Sequence, residues 1–207
     1  MSVETAEGIA QRERSNKILE CAVRIFPREG FASTDVQQIA DAAGVGKGTI
    51  YRHYGNKEQL FLAAARYVRQ QMLDEAEAHA NRGATPLDRL RNGVSAVINY
   101  FHRQPEVVEM LIQERANFRD KTPTFFDDAD CRNEYWVALI EQLIAQGIVR
   151  DLPVPQIQAA LSRFIFGAMF VSYLGGACSS KQADEGLMLD MLSYGFLKQH
   201  AASAQTS

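Results

Sequence analysis

Apolar residues recur along most of the chain three or four positions apart, which is the spacing of α-helices. In the first such segment Ile18, Ala22 and Phe26 fall at i, i+4 and i+8 and therefore share one helix face. Residues 1–10 lack this pattern, and we expect them to form a flexible tail. Pro27 is expected to shorten or kink the end of this first helix, because proline has no backbone N–H to donate.

Two shorter helices are predicted next. The segment STDVQQIADAAGV has Thr34 or Asp35 as its N-cap and ends at a glycine after barely three turns. A third helix fits residues 47–54, with Ile50 and Tyr54 as its apolar pair. The other side chains of this third helix are therefore expected to lie on its remaining faces, away from this apolar pair.

The helical period continues to the C-terminal end, and no stretch alternates as a β-strand would. Tight turns and prolines separate the predicted segments, which cover roughly residues 57–80, 85–102, 105–118, a helix ending near 147, 153–175 and 184–199. We therefore predict an all-α fold of about nine helices, with a three-helix head on a larger helical body.

Composition narrows the cellular class of the protein. Hydrophobic residues make up 46% of the 207 residues. The sequence contains no run of eighteen apolar residues, which is the length typical of a membrane-spanning helix. The polar segment MSVETAEGIAQRERSNK has no apolar core typical of a secretory signal. We expect a cytoplasmic protein without a membrane partner.

No pattern typical of a catalytic or metal centre is present. The four histidines are far apart, and neither HExxH nor GxSxG occurs. Cys21, Cys131 and Cys178 form no CxxC pair, so buried reduced thiols are favoured over a zinc site or a disulfide framework, with a redox sensor as the alternative. We predict no enzyme activity, no cofactor and no metal ion.

The net charge of −3 does not favour a general polyanion binder. However, residues 1–60 carry eight Lys/Arg and eight Asp/Glu, so the acidic excess lies in the rest of the chain. A neutral N-terminal module binds DNA when its cations share one face.

The stretch GVGKGT superficially resembles a nucleotide-binding loop. A P-loop needs GxxxxGK followed by Ser or Thr, after a buried strand. Here Gly48 follows Lys47, Asp41 stands where the first glycine is required, and a short amphipathic helix precedes the segment. These differences argue against an NTPase.

The same stretch fits two short helices joined by a tight turn, the geometry that lets a second helix enter the major groove of DNA. The outward face of that second helix carries hydrogen-bond donors suited to phosphates and base edges. Lys57 follows in the first turn of the next helix, where a cation is poorly placed for the helix dipole unless an anion lies nearby. DNA phosphates would supply that anion.

Residues 14–62, which include FASTDVQQIADAAGVGKGTIYRHYGNKEQLF, closely resemble the DNA-binding head of TetR family (tetracycline repressor-like) transcription regulators. Gly46 departs from the pattern, because the family usually has a serine or threonine there. The resemblance implies phosphate contacts by Thr34, Tyr51, His53 and Lys57, and approach to bases or the adjacent backbone by Lys47, Gly48, Thr49 and Arg52.

The resemblance also implies a domain order. Residues 11–71 would form the DNA-binding domain, with the helix-turn-helix motif at about 34–53, and residues 72–207 would bind a small effector and form a homodimer through the last two long helices. The C-terminal domain is rich in aromatic residues, which suits an apolar effector. The candidate effector contacts are Phe101, Met110, Glu114, Phe118, Tyr135, Trp136, Phe170 and Tyr173.

The predicted function is a homodimeric repressor that a small, apolar ligand releases from a near-palindromic operator. The alternative is an all-α ligand-binding or enzymatic bundle whose N-terminal head docks protein instead of DNA. Binding to the phosphates of DNA would weaken steeply with salt, which separates the two hypotheses.

Overall fold

The computed structural model describes residues 6–124 and 133–175, and within these ranges it contains helices and no β-strand. The all-α prediction is confirmed. The helix predicted at 184–199 lies outside the described residues. The described residues form eight helices: α1 (Ala6–Glu29), α2 (Val36–Ala43), α3 (Lys47–Tyr54), α4 (Lys57–Ala80), α5 (Pro86–Arg103), α6 (Glu106–Asn117), α7 (Glu134–Ala145) and α8 (Val154–Gly175).

Helix α1 begins before the apolar pattern does. Residues 6–10, predicted as part of a tail, form its first turns, although Ile9 is exposed and no apolar face is buried there. Residues 6–14 are rich in Ala, Glu, Gln and Arg, which have high intrinsic helix propensity. Local propensity therefore extends a helix whose packing begins only near Ile18.

Pro27 lies inside α1 and does not end it. The helix continues to Glu29 and stops before Gly30, whose φ is +80°. The φ of proline suits a helix, so the cost is confined to one missing hydrogen bond and local crowding. The carbonyl of Pro27 accepts a hydrogen bond from Gln113 Nε2 at 3.2 Å, which ties this end of α1 to α6.

The helix-turn-helix forms at the predicted positions. Helix α2 buries Val36 and Ile39 and ends at Gly44, which has φ +71° and ψ +34°. Glycine adopts this left-handed conformation at no steric cost. The Gly44 N–H donates to the carbonyls of Ala40 and Asp41, which closes the helix end and starts the turn into α3.

One compact unit comprises Met1–Gln71 and Gln104–Asp127, of which residues 6–71 and 104–124 are described. Its core includes an aromatic group in which the rings of Phe26 and Phe61 are 5.0 Å apart and those of Phe61 and Phe118 are 5.6 Å apart. Aromatic pairs at such distances contribute beyond their buried area. Helix α6 thus packs against α1, although it lies far from it in sequence.

The second unit comprises Met72–Arg103 and Asp128–Ser207, of which residues 72–103 and 133–175 are described. Gly93 of α5 faces the indole ring of Trp136 so closely that a Cβ atom at position 93 would overlap the ring. Glycine is therefore required for this approach of α5 to α7. One buried cluster among the described residues of this unit comprises Leu139, Ile140, Leu143, Val149 and Ile157.

The boundary predicted at residue 71 coincides with the first division between the units. The sequence also assigned residues 104–124 to the C-terminal domain, whereas the structure packs them in the N-terminal unit. Apolar periodicity identifies the buried face of α6 but not the helices that cover it. The functional division of the chain remains a prediction.

Helix α8 is unusually apolar and open. Its segment Val154–Leu174 has the length and composition of a membrane span, and 17% of the most apolar stretch is buried. Val171 and Leu174 are 69% and 64% exposed in the single chain. An apolar helix that pairs with a second protein surface has these same properties.

Candidate nucleic-acid interface

Asp35 is the N-cap of α2, which resolves the choice between Thr34 and Asp35. Its Oδ1 accepts a hydrogen bond from the Gln37 N–H at 2.9 Å. Thr34 is 3% exposed, and its hydroxyl donates to the Gly30 carbonyl at 2.7 Å. In this structure the Thr34 side chain holds the turn between α1 and α2, and its phosphate contact stays a prediction.

Two residues attach α3 to the rest of the N-terminal unit. Ile50 is 1% exposed, and the hydroxyl of Tyr54 shares a hydrogen bond of 2.9 Å with that of Ser15 in α1. Gly46 is the N-cap, with an extended φ of −74° and no side-chain hydrogen bond. The inward side of α3 is therefore fixed while its other face is open.

The open face carries most of the predicted DNA contacts. Gly48, Tyr51, Arg52 and His53 are exposed, and Thr49 is half-buried. Within the described chain, the side chains of Tyr51 and Arg52 make no hydrogen bond or ion pair, so their donors are available to another molecule. A guanidinium and a phenol on one short helix suit phosphate oxygens and base edges.

His53 is linked to the beginning of α1. The amide nitrogen of Gln11 lies 3.0 Å from His53 Nε2 and can donate to it. No local pattern predicts this contact, because Gln11 precedes the apolar stripe of α1 and lies 42 positions from His53 in the sequence. The N-terminal extension of α1 therefore reaches the face that α3 presents.

Lys47, at the start of α3, is paired with the N-cap of α2. Its Nζ donates to Asp35 Oδ1 at 2.8 Å, and both side chains are partly exposed. The Gln37 N–H and then Lys47 hold the pKa of Asp35 below its ordinary value, and the hydrogen bond to Asp35 raises the pKa of Lys47. Sequence analysis identified both residues but not the pair, which only the helix-turn-helix brings together.

Lys57 also has partners within the chain. Its Nζ donates to the carbonyls of Ala32 and Thr34 at 3.0 and 2.9 Å and lies 4.9 Å from the centre of the Phe31 ring. Backbone carbonyls and an aromatic face stabilise a cation without any external anion. The placement of Lys57 thus does not by itself indicate DNA, and its phosphate contact stays a prediction.

The candidate effector contacts divide between the two units. Met110, Glu114 and Phe118 are buried in the N-terminal unit. Glu114 accepts hydrogen bonds from the Thr124 N–H and hydroxyl at 2.7 and 2.6 Å, so its carboxylate orders the segment after α6. Packing accounts for the burial of Met110 and Phe118, whereas Glu114 Oε2 is buried with no hydrogen-bond partner among the described residues.

The other five candidates lie in the C-terminal unit. Phe101 is buried, whereas Phe170 and Tyr173 on α8 are 43% and 37% exposed. The rings of Tyr135 and Trp136 meet edge to face at 5.1 Å. Among the described residues, the Tyr135 hydroxyl and Trp136 Nε1 are buried without a hydrogen-bond partner, and burial raises the pKa of Tyr135.

Cys21 is a buried free thiol, while Cys131 and Cys178 lie outside the described residues. Within residues 6–124 and 133–175, no group of three or more potential metal ligands comes together. The site that the described residues do assemble is the face of α3.

Comparison with known proteins agrees with this geometry. The pattern that defines the bacterial regulatory proteins of the tetR family matches residues 18–64. The chain is 28% identical to the HTH-type transcriptional repressor KstR2 of Mycolicibacterium smegmatis over 182 residues, which are 83% of this chain and 85% of the relative. Several other curated relatives are matched over less than two thirds of their length, and one over 36%.

Solved structures extend the likeness beyond the head. A TetR family transcription regulator from Marinobacter aquaeolei VT8 has a TM-score of 0.71 and 25% identity, covering 92% of this chain and all of that one. The regulator FadR of Bacillus subtilis, solved with stearoyl-CoA, shares the fold with a TM-score of 0.73 at 19% identity, covering 87% and 98%. Residues 18–64 therefore carry the pattern of the tetR family of bacterial regulatory proteins, and the chain as a whole is similar to TetR family regulators.

Proposed function

We propose that this protein is a homodimeric transcriptional repressor that binds a near-palindromic operator through α3 and leaves it when an effector binds. The observation that carries the DNA-binding role is the exposed, unpaired pair Tyr51 and Arg52, on a helix that Ile50 fixes from behind. Base readout needs such donors on a rigid helix that fits the major groove. We place this function in the cytoplasm, where the DNA of a bacterium lies.

A dimer would present two copies of α3 to one face of the DNA. Half-sites read this way are separated by about one helical turn, roughly 34 Å, or somewhat more. The exposed apolar side chains of α8, with the helix predicted at 184–199, are the proposed dimer surface. Effector binding would favour a dimer geometry whose heads no longer match the half-site spacing.

Arg52→Ala tests the DNA-binding role. The DNA is the duplex that wild-type protein selects from a random-sequence pool. We expect the variant to lose about 1–3 kcal/mol of binding free energy, which raises the dissociation constant roughly 5- to 150-fold, because a side chain that reads bases is lost. Fluorescence anisotropy gives the constant, and sedimentation should show an unchanged oligomer. Arg150→Ala, at an exposed arginine of the C-terminal unit, is the matched control.

Two outcomes would contradict the assignment. Equal affinity of wild type and Arg52→Ala would remove α3 from the interface. Failure of wild-type protein to bind any duplex at low salt would instead favour a head that docks protein, since phosphate contacts strengthen as salt falls.

We further propose that the C-terminal unit binds an apolar effector that carries a hydrogen-bond acceptor. Tyr135 and Trp136 each place a buried donor with no partner in the described chain. A buried unsatisfied donor costs about 1–3 kcal/mol, which an acceptor oxygen of a ligand would recover. Phe101 and the surrounding apolar side chains would contact the rest of such a molecule.

The single tryptophan of the chain makes this effector site measurable. Stearoyl-CoA is a suitable first probe, because it combines an acyl chain with a carbonyl oxygen. We expect it to change Trp136 emission in a saturable way, and coenzyme A alone to leave the emission unchanged. Tyr135→Phe should weaken binding by about 0.5–1.5 kcal/mol, since one hydrogen bond is lost. An unchanged affinity in this variant would exclude contact with the Tyr135 hydroxyl.

A further inference from the structure

The N-cap of α2 is charged although its capping role needs no charge. Asp35 accepts the Gln37 N–H at 2.9 Å through Oδ1, and the same oxygen accepts Lys47 Nζ at 2.8 Å. Serine and asparagine cap helices about as well as aspartate does. The negative charge of the carboxylate therefore has a second effect besides capping, which is an ion pair with Lys47, the first residue of α3.

The position of this carboxylate affects the face of α3. Asp35 and Lys47 are 59% and 38% exposed, so the pair lies at the surface beside the turn that joins the two helices. Lys57, the other nearby cation, donates to the carbonyls of Ala32 and Thr34. Asp35 thus places a negative charge directly against Lys47, the one of these two lysines that it holds in an ion pair.

We propose that Asp35 attenuates DNA binding by holding Lys47 in an internal ion pair. This proposal rests on the proposed role of α3 in DNA binding. When DNA approaches, Lys47 either leaves Asp35 or brings the carboxylate close to a phosphate of the same sign, and both cost free energy. An exposed ion pair is weak, so Asp35 lowers the affinity without abolishing it.

A double-mutant cycle on the full chain tests this role. It compares wild type, Asp35→Ser, Lys47→Ala and the double variant on the selected duplex at several salt concentrations. Asp35→Ser keeps a capping oxygen, and we expect it to bind DNA about two- to fivefold more tightly at low salt. The slope of log affinity against log salt should steepen by about 0.9, because Lys47 then neutralises a phosphate.

The coupling between the two positions distinguishes attenuation from capping. Lys47→Ala should cost more affinity in the Asp35→Ser background than in wild type, since only there is the lysine unpaired. A purely structural role for Asp35 would not alter the salt slope. Asp35→Asn provides a second neutral cap and should reproduce the result, which keeps the test valid if the serine variant folds poorly.

Equal affinities and equal salt slopes for wild type and both neutral caps would overturn the proposal while leaving the DNA-binding role intact. An equal cost of Lys47→Ala in both backgrounds would do the same. Absence of DNA binding by wild type would overturn the DNA-binding role together with the attenuation that depends on it.

Discussion

Arg52 and Lys47 carry the same charge on the same short helix, yet their surroundings differ. The Arg52 guanidinium is exposed with no partner among the described residues, whereas Lys47 Nζ lies 2.8 Å from Asp35 Oδ1. A phosphate contact by Lys47 must replace an existing interaction, and one by Arg52 replaces only water. Counting cations along α3 therefore overstates the charge that it offers to DNA.

The Asp35 interactions predict a pH dependence of stability. The pKa of Asp35 in the folded protein lies below its ordinary value of 3.8, so its contribution is present above that pH and is lost as the pH falls through the folded-state pKa. Asp35→Ala should lower the Tm at pH 7, and the difference from wild type should shrink below about pH 3.8. Thermal unfolding followed by circular dichroism at both pH values measures it.

Asp35→Ser is the control for this experiment. It keeps the cap and loses the charge, so its Tm at pH 7 should lie between those of wild type and Asp35→Ala. A Tm difference that is the same at pH 7 and pH 3 would show that the ionised carboxylate contributes nothing to stability.

At the scale of the helix, α3 begins without a capping side chain. The φ and ψ of Gly46 are −74° and 144°, which any residue adopts, and a Cβ there would meet only Thr49 Oγ1 at 4.0 Å. Glycine is thus not required by backbone geometry or by space. Its presence leaves the first N–H groups of α3 without a side-chain acceptor.

Gly46→Ser should stabilise the protein by a few tenths of a kcal/mol, the usual difference between serine and glycine at an N-cap. The added hydroxyl also lies at the helix end proposed to approach DNA, so operator affinity should rise. Chemical denaturation and anisotropy measure the two effects. Gly46→Ala is the matched control, and an equal gain from alanine would mean that capping is not the cause.

At the scale of the whole molecule, the described chain leaves one apolar surface open. Phe170, Val171, Tyr173 and Leu174 are exposed at the end of α8. Exposed apolar patches of this kind mark interaction surfaces, and family resemblance favours a second copy of the chain.

Val171→Arg tests that surface. A charge in an apolar interface is costly to desolvate, so we expect the dimer dissociation constant to rise by about tenfold or more, with a matching loss of operator affinity. Analytical ultracentrifugation measures the association. Gln156→Arg adds the same charge at an exposed position in the first turn of α8 and should change neither quantity. An unaltered dimer in Val171→Arg would place the interface elsewhere.

The helix-turn-helix could be predicted closely because its signals are local. The cap at Asp35, the turn at Gly44 and the apolar pair of α3 act over a few residues, and the bounds of α2 and α3 follow from them. The tail prediction for residues 6–10 rests on the absence of an apolar stripe. Such a stripe indicates which face of a helix is buried, and a helix can form without one. The expectation that Pro27 shortens or kinks the end of α1 rests on its missing N–H, and no local pattern records that its carbonyl accepts a hydrogen bond from the distant Gln113.

The sequence by itself determined the all-α class, the order of the helices and the position of the head, since periodicity and capping depend on near neighbours in the chain. Only the tertiary structure decided which distant groups meet: Lys47 with Asp35, Lys57 with two carbonyls, and α6 with α1. These contacts close long loops, and no local pattern records which partner is chosen. They also decide which cations on the predicted DNA-binding face are free to act.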